Sequence, residues 1–223
     1  MDNASSIVLL PLRCPECGGD IGLGPRDRAF FCPRCVSLWD EEGGKLLKKQ
    51  CVFGTTTQAN PAYIPFWRFR LRAQTPFADI STYGQYLEHV SYAIPAAPVK
   101  EQELFLFVAA PSLLLEKQRL VISKQLTNSQ PPVTAGEAKV GSIWGVALDE
   151  KTARRYAKAI LVSTFSEAYK ATAYFISHIS VNLSRPHLAF IPFFDEGPSY
   201  HDSSGIFIIQ KHLFDGEPVR FEP

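Results

Sequence analysis

Tyr63-Ile64-Pro65-Phe66-Trp67-Arg68-Phe69-Arg70-Leu71-Arg72 is the stretch on which the fold turns. From Phe66 onward it alternates, with Trp67, Phe69 and Leu71 on one side and Arg68, Arg70 and Arg72 on the other. Period-two alternation marks a half-buried strand, here with a basic outer face. The opening of the stretch has an echo. Tyr63 to Trp67 and Phe190-Ile191-Pro192-Phe193-Phe194 share the pattern aromatic-Ile-Pro-Phe-aromatic. Proline cannot donate to a ladder, so each strand is expected to be broken, bulged or at an edge there. Two unrelated edge strands are one reading. The other is a pseudo-symmetric pair flanking an aromatic surface, in which Tyr63, Phe66, Trp67, Phe193 and Phe194 meet a partner protein or a second copy.

Outward from this pair, Val90 to Pro98 reads as a loop or short edge strand and Glu103 to Ala110 as a strand. Pro111-Ser112 opens a helix over Leu113 to Leu126, with Ser112 as its N-cap. Ser142 to Ala147 makes a short strand. Asp149 begins the clearest helix, because Ala153, Tyr156, Ala157, Ile160, Leu161, Phe165, Ala168 and Tyr169 recur at helical spacing. Tyr174 to Leu183 alternates as a strand, Arg185-Pro186 turns, and His187 to Phe194 is a strand. Asp195 to Ser204 reads as a loop and Ile206 to Gln210 as a last strand. Five to seven strands with about two helices make residues 53–223 an α+β domain with a mixed sheet.

Residues 1–52 form a separate unit. Cys14-Pro15-Glu16-Cys17 and Cys32-Pro33-Arg34-Cys35 are separated by 14 residues. Each Cys-x-x-Cys can turn back as a knuckle, and two facing knuckles supply four thiolates to a tetrahedral ion. Gly18 and Gly19 follow the first pair, where a knuckle tolerates or needs positive φ. Ile7 to Leu12 leads in as a strand, Phe30-Phe31 enters the second knuckle, and Leu38-Trp39 leaves it.

These residues resemble the zinc-ribbon, or rubredoxin-like, family over about residues 7–50. Cys14 to Gly18 fits its Cys-Pro-x-Cys-Gly pattern; Val36 departs from it, standing where Gly is usual. The resemblance implies one structural zinc on Cys14, Cys17, Cys32 and Cys35. Redox iron comes second, since the two pairs of a rubredoxin stand farther apart. Four protein thiolates would close the coordination sphere and leave no open position for catalysis. Cys51 lies outside both knuckles and reads as a lone core or linker thiol.

Composition excludes several classes. The formal net charge is +1, which argues against a strongly basic nucleic-acid protein, and 46% hydrophobic content argues against disorder. The longest apolar run, Leu104 to Leu115, is shorter than the roughly 20 residues a bilayer requires. With no secretory n-region and with Cys-x-x-Cys spacing, the chain is expected to be cytoplasmic. There is no phosphate loop, dinucleotide fingerprint, His-Glu-x-x-His or Gly-x-Ser-x-Gly. Three function classes follow. The first is a non-enzymatic adaptor or accessory subunit of a protein assembly. The second is a nucleic-acid-binding module using the ribbon and the Arg68, Arg70 and Arg72 face. The third is an enzyme with a site near His201 and Asp202, drawing on His178, His187, His212, Asp195 and Glu196.

Overall fold

The computed structural model describes residues 13–22, 26–42, 44–90, 101–166, 173–202 and 207–221. An antiparallel meander comes first: β1 (Ala29–Cys32), β2 (Ser37–Glu42) and β3 (Lys45–Lys49). Gln50 alone connects it to a mixed sheet of ten described strands. These are β4 (Cys51–Gly54), β5 (Ala62–Gln74), β6 (Asp79–Ile80), β7 (Phe105–Ala109), β8 (Ala135–Gly136), β9 (Gly141–Ile143), β10 (Ser180–Glu196), β11 (Ser199–Asp202), β12 (Ile208–Gln210) and β13 (Val219–Phe221). The helices are α1 (Tyr83–Leu87), α2 (Glu116–Ser129), α3 (Glu150–Thr164) and α4 (Ala173–His178). The fold is α+β; α2 and α3 are the two long helices anticipated, and α1 and α4 are short additions.

The two Ile-Pro-Phe motifs pair with each other. In the antiparallel β5–β10 ladder Ile64 lies opposite Ile191, Tyr63 opposite Pro192 and Pro65 opposite Phe190. A local two-fold axis therefore passes through the Ile64–Ile191 pair, and the neighbouring strands obey it. β9 runs parallel to β5 at Ala62–Tyr63, as β4 runs parallel to β10 up to Phe190. β7 pairs antiparallel with β5 from Phe66, as β11 pairs with β10 from Phe193. β8 flanks β4 as β13 flanks β9.

This symmetry explains the prolines, which sit in central strands and not at an edge. The carbonyls of Tyr63 and Pro65 accept from Trp144 N at 2.9 Å and Ala110 N at 3.0 Å, so both residues direct their main-chain groups away from β10. Pro65 falls where the outer partner changes from β9 to β7, and Pro192 where it changes from β4 to β11. A missing N–H does least harm at such a switch. The Pro192 ring packs so closely on β4 that a Cβ on Gly54 would come within 2.7 Å of it.

Both faces of the central pair are covered. Tyr63, Phe69, Leu71, Leu188 and Phe190 join α3 residues in one core, and Ile64, Phe66, Ile191 and Phe193 join α2 residues in the other. The aromatic surface expected of the motifs is thereby corrected. Tyr63, Phe66 and Phe193 are wholly buried and Phe194 is buried, because pairing the motifs encloses them within one chain. Trp67 alone of the five is half-buried. The ribbon is not detached either: its Phe31 and Leu38 belong to the first core, and Phe31 meets Phe221 edge-on.

Helix α2 closes the free edge of β7. Ser123 Oγ accepts from Ala109 N at 2.9 Å, Thr127 Oγ1 from Phe107 N at 3.1 Å and Gln130 Oε1 from Phe105 N at 2.9 Å. Arg119 donates to the Ala109 carbonyl, and Gln130 Nε2 donates to that of Phe105. From Arg119 through Ser123 to Thr127, four helical residues rise about 6.0 Å against about 6.6–6.8 Å for two strand residues, which keeps these rungs in step; Gln130, the left-handed C-cap three residues on, makes the last one. A row of polar side chains stands in for a missing strand, and an exposed pairing edge is avoided.

Four local expectations change. The helix after Pro111 starts at Glu116, and Leu115 rather than Ser112 is its N-cap. The intervening backbone is engaged elsewhere, with Leu114 N donating to Leu213 O at 3.0 Å. Tyr174 to Leu183 is helix to His178 and strand only from Ser180. Phe175 and Ile179 are four apart, a spacing that fits both periods. Arg185-Pro186 is a bulge within β10, with Arg185 at φ +49°, and not a turn between strands. The expected loop after Asp195 contains β11, which folds back through Gly197 at φ +66°. Ile7 to Leu12 and Ser91 to Pro98 lie outside the described residues.

Thr127→Val keeps the shape of α2 but leaves the Phe107 N–H without its acceptor. Denaturant unfolding should show a loss of about 1–3 kcal/mol, against less than about 0.5 kcal/mol for Lys117→Ala on the exposed face of the same helix.

Candidate metal centre

The first knuckle turns on Gly18 at φ +69°, with Gly18 N donating to Cys14 O at 2.9 Å and Cys14 N to Gly19 O at 2.7 Å. The second turns on Val36, held at φ +55°. The departure from the Cys-Pro-x-Cys-Gly pattern is thus a branched residue in the left-handed region, a conformation costing roughly 1–2 kcal/mol outside glycine. The ribbon sustains it because Val36 packs against the first core.

The two knuckles bring Cys14, Cys17, Cys32 and Cys35 together, with all four sulfurs within 4.8 Å of one another. Cys14 and Cys35 approach to 3.5 Å, as do Cys17 and Cys32. Disulfides need about 2.05 Å, so these are thiols. Four sulfurs at about 2.3 Å from a tetrahedral zinc would stand about 3.8 Å apart, so the quartet fits such an ion.

Ser37 completes the centre, and the sequence reading missed it. Its buried hydroxyl accepts from Trp39 Nε1 at 2.8 Å and lies 2.9 Å from Cys35 Sγ and 3.5 Å from Cys14 Sγ. With the indole N–H on the oxygen, the hydroxyl proton is directed at sulfur. The readable signal was Cys-x-Ser-x-Trp, in which alternation along β2 puts Ser37 and Trp39 on one face. Burial pushes the Cys14 thiol up. Hydrogen bonds from Ser37, the backbone of Cys17 and Glu16, and Cys35 outweigh it and bring Cys14 down to about 6. Burial holds Cys32 up at about 12 and raises Cys35 as well. Cys14 is thus the readier of these to ionise, and the raised thiols must release protons as a metal arrives. Lys48, paired with Glu16 at 2.7 Å, adds positive charge near Cys35 and Cys14. Cys51 stands apart, and burial raises its thiol to about 11.

The other candidate residues do not converge on one site. His178 Nδ1 lies 2.8 Å from Tyr174 O, and His187 faces Arg68 across the ladder. Burial and the Arg68 charge lower His187. His212 lies in a short 3-10 turn, and Asp195 pairs with Lys211 at 2.5 Å. Asp202 accepts from Phe207 N at 3.0 Å. The β10–β11 hairpin does place Ser199 Oγ 2.8 Å from His201 Nε2, with Glu196 3.7 Å from Nδ1. Ser199, however, is only 6% exposed.

The Arg face is largely engaged within the chain. Arg68 lies 3.5 Å over the Phe105 ring, and Arg70 pairs with Glu103 at 2.9 Å. Arg72 is exposed, while Phe69 is buried on the opposite face and Trp67 packs against the same core. Comparison with known proteins returns no matching family model, no matching curated protein and no matching solved structure.

Ser37→Ala removes the hydroxyl that links Trp39 to the sulfurs. Chelator competition should show metal affinity about 10–100-fold weaker, with the loaded chain still folded. Single- and double-stranded nucleic acids should show no binding at physiological salt. Micromolar binding with a salt slope that falls by about one unit per Arg→Ala change at Arg68, Arg70 or Arg72 would contradict that expectation.

Proposed function

We propose that the chain is a non-enzymatic zinc-ribbon adaptor, an accessory subunit of a protein assembly in the cytoplasm. One structural zinc is held by Cys14, Cys17, Cys32 and Cys35. The closed thiolate quartet carries this reading. All four positions of a tetrahedral ion go to protein sulfur, so the metal organises the chain and meets no substrate. Among the described residues, no second group of three or more His, Cys, Asp or Glu is placed to hold a metal. All five cysteines are free thiols, as a reducing compartment would keep them. No helix among the described residues is long and apolar enough to cross a membrane.

The ribbon's attachment supports an organising role. Phe31 and Leu38 flank the second knuckle and reach into the main core. Metal binding therefore stabilises more than the knuckles themselves. Nucleic-acid binding is the weaker reading, because two of the three arginines already have partners in the chain.

Elemental analysis of the purified chain should find about one zinc and no visible iron band. Cys14→Ser should release the metal and lower the unfolding temperature of the whole chain, since Phe31 and Leu38 lose their frame. Native purification should recover the zinc-loaded chain with a defined partner at fixed stoichiometry, and Cys14→Ser should lose that partner. An iron-loaded chain, or one that runs free of partners at native concentration, would overturn the proposal.

A further inference from the structure

We propose that the ribbon is a redox-operated latch: oxidation of its quartet to two cross-knuckle disulfides, Cys14–Cys35 and Cys17–Cys32, frees the metal and undocks the ribbon from the sheet. The inference rests on the zinc-ribbon reading and adds a regulation of the same site. Within the quartet each close contact joins an accessible sulfur to an enclosed one. Cys35 and Cys17 are half-buried, whereas their respective neighbours at 3.5 Å, Cys14 and Cys32, are buried. Both contacts cross from one knuckle to the other. An accessible thiol beside an enclosed one is the arrangement of a sensing and a resolving cysteine, because the first meets the oxidant and the second meets the first. The two contacts use all four sulfurs, so full oxidation leaves no thiolate to hold an ion.

The oxidant is a peroxide. The Cys35 thiolate attacks its O–O bond and takes one oxygen, becoming a sulfenic acid as hydroxide leaves. The Cys14 thiolate then attacks the Cys35 sulfur. The S–S bond forms, the S–O bond breaks and a second hydroxide departs. Two solvent protons convert both hydroxides to water, and two electrons have passed from sulfur to the peroxide. Cys17 and Cys32 repeat the sequence with a second peroxide. A thiol reductant reverses each bond by exchange, after which the quartet can take metal again.

Packing beyond the knuckles carries the change to the sheet. Phe31, next to Cys32, lies edge-on to Phe221 at 5.4 Å and tilted against Phe53 at 6.4 Å. Leu38, three residues past Cys35, lies in the same core. Between Cys35 and Ser37, Val36 is held at φ +55°, a conformation that a branched residue keeps only while its surroundings impose it. Redrawing the knuckle removes one of those constraints, and the relaxation of Val36 favours withdrawal of Ser37 and Leu38. The ribbon can leave as a unit, since Gln50 alone joins β3 to β4. Across the seam, Arg28 N and Ala29 N donate to Val146 O at 2.6 Å and 3.3 Å, and Arg26 pairs with Asp215 at the surface.

The test uses the full, zinc-loaded chain and hydrogen peroxide. A chromogenic chelator should register release of the zinc. Peptide mapping with fragmentation should find Cys14 joined to Cys35 and Cys17 to Cys32. Hydrogen exchange at the Arg28 and Ala29 amides should speed up about tenfold or more, while amides of the β5–β10 ladder stay protected. Dithiothreitol with added zinc should restore slow exchange. Cys51→Ser, outside both contacts, should leave every one of these readings unchanged. Zinc retained under peroxide, bonds confined to one knuckle or drawn to Cys51, sulfinic acid in place of disulfide, or unaltered exchange at Arg28 and Ala29 once the bonds have formed would each overturn the latch. A chain purified under reducing conditions without zinc loses the zinc-ribbon reading first, before any oxidant is added.

Discussion

The pairing of Ile64 with Ile191 organises the large sheet. Once β5 and β10 run antiparallel through that pair, every residue of the two motifs has a fixed neighbour. Alternate residues then direct their main-chain groups outward, and those groups need partners of their own. β9 and β7 supply them along β5, and β4 and β11 along β10. The change of partner beside each proline is what admits proline to a central strand. The same change gives each central strand, on the side away from the other, a parallel neighbour before the proline and an antiparallel one after it. Two interleaved halves thus build the sheet around one axis, each half lending its first strand to the other's long one.

A sheet assembled this way still leaves edges, and the two halves resolve them differently. β11 pairs with β12. Its symmetry counterpart β7 is covered by α2, whose buried Arg119, Ser123, Thr127 and Gln130 would otherwise be costly. Their hydrogen bonds to β7 meet that cost, because each polar side chain satisfies a main-chain group that would also be buried. The halves share a sheet plan while their outer layers have diverged.

The sequence announced the cluster of four cysteines, the α3 helix beginning near Asp149, and the strand character of both motifs. Each signal was local: a fixed spacing, a helical period, an alternation. Failures came where the deciding partner was remote. Nothing near Pro65 or Pro192 says that each strand is the other's neighbour, so the aromatics beside them read as surface. Nothing within α2 says that its polar row faces a strand edge. Ser37 was overlooked because a serine two residues past a cysteine has meaning only when Trp39 and two sulfurs converge on it. At Phe175 and Ile179 the ambiguity was intrinsic, since positions four apart share a face in either structure.

The ribbon's role follows from where its apolar side chains go. Leu38 leads out of the second knuckle into the main core, and Ala29 lies on the strand that enters it. Their positions are set by the two knuckle turns, while the surfaces they cover belong to the sheet. A metal held by the four thiols would therefore be linked to sheet packing: whatever stabilised one would stabilise the other by the same free energy. A metal closed in by four protein thiols would in this way act on the sheet as well as on its own knuckles, through Phe31 and Leu38.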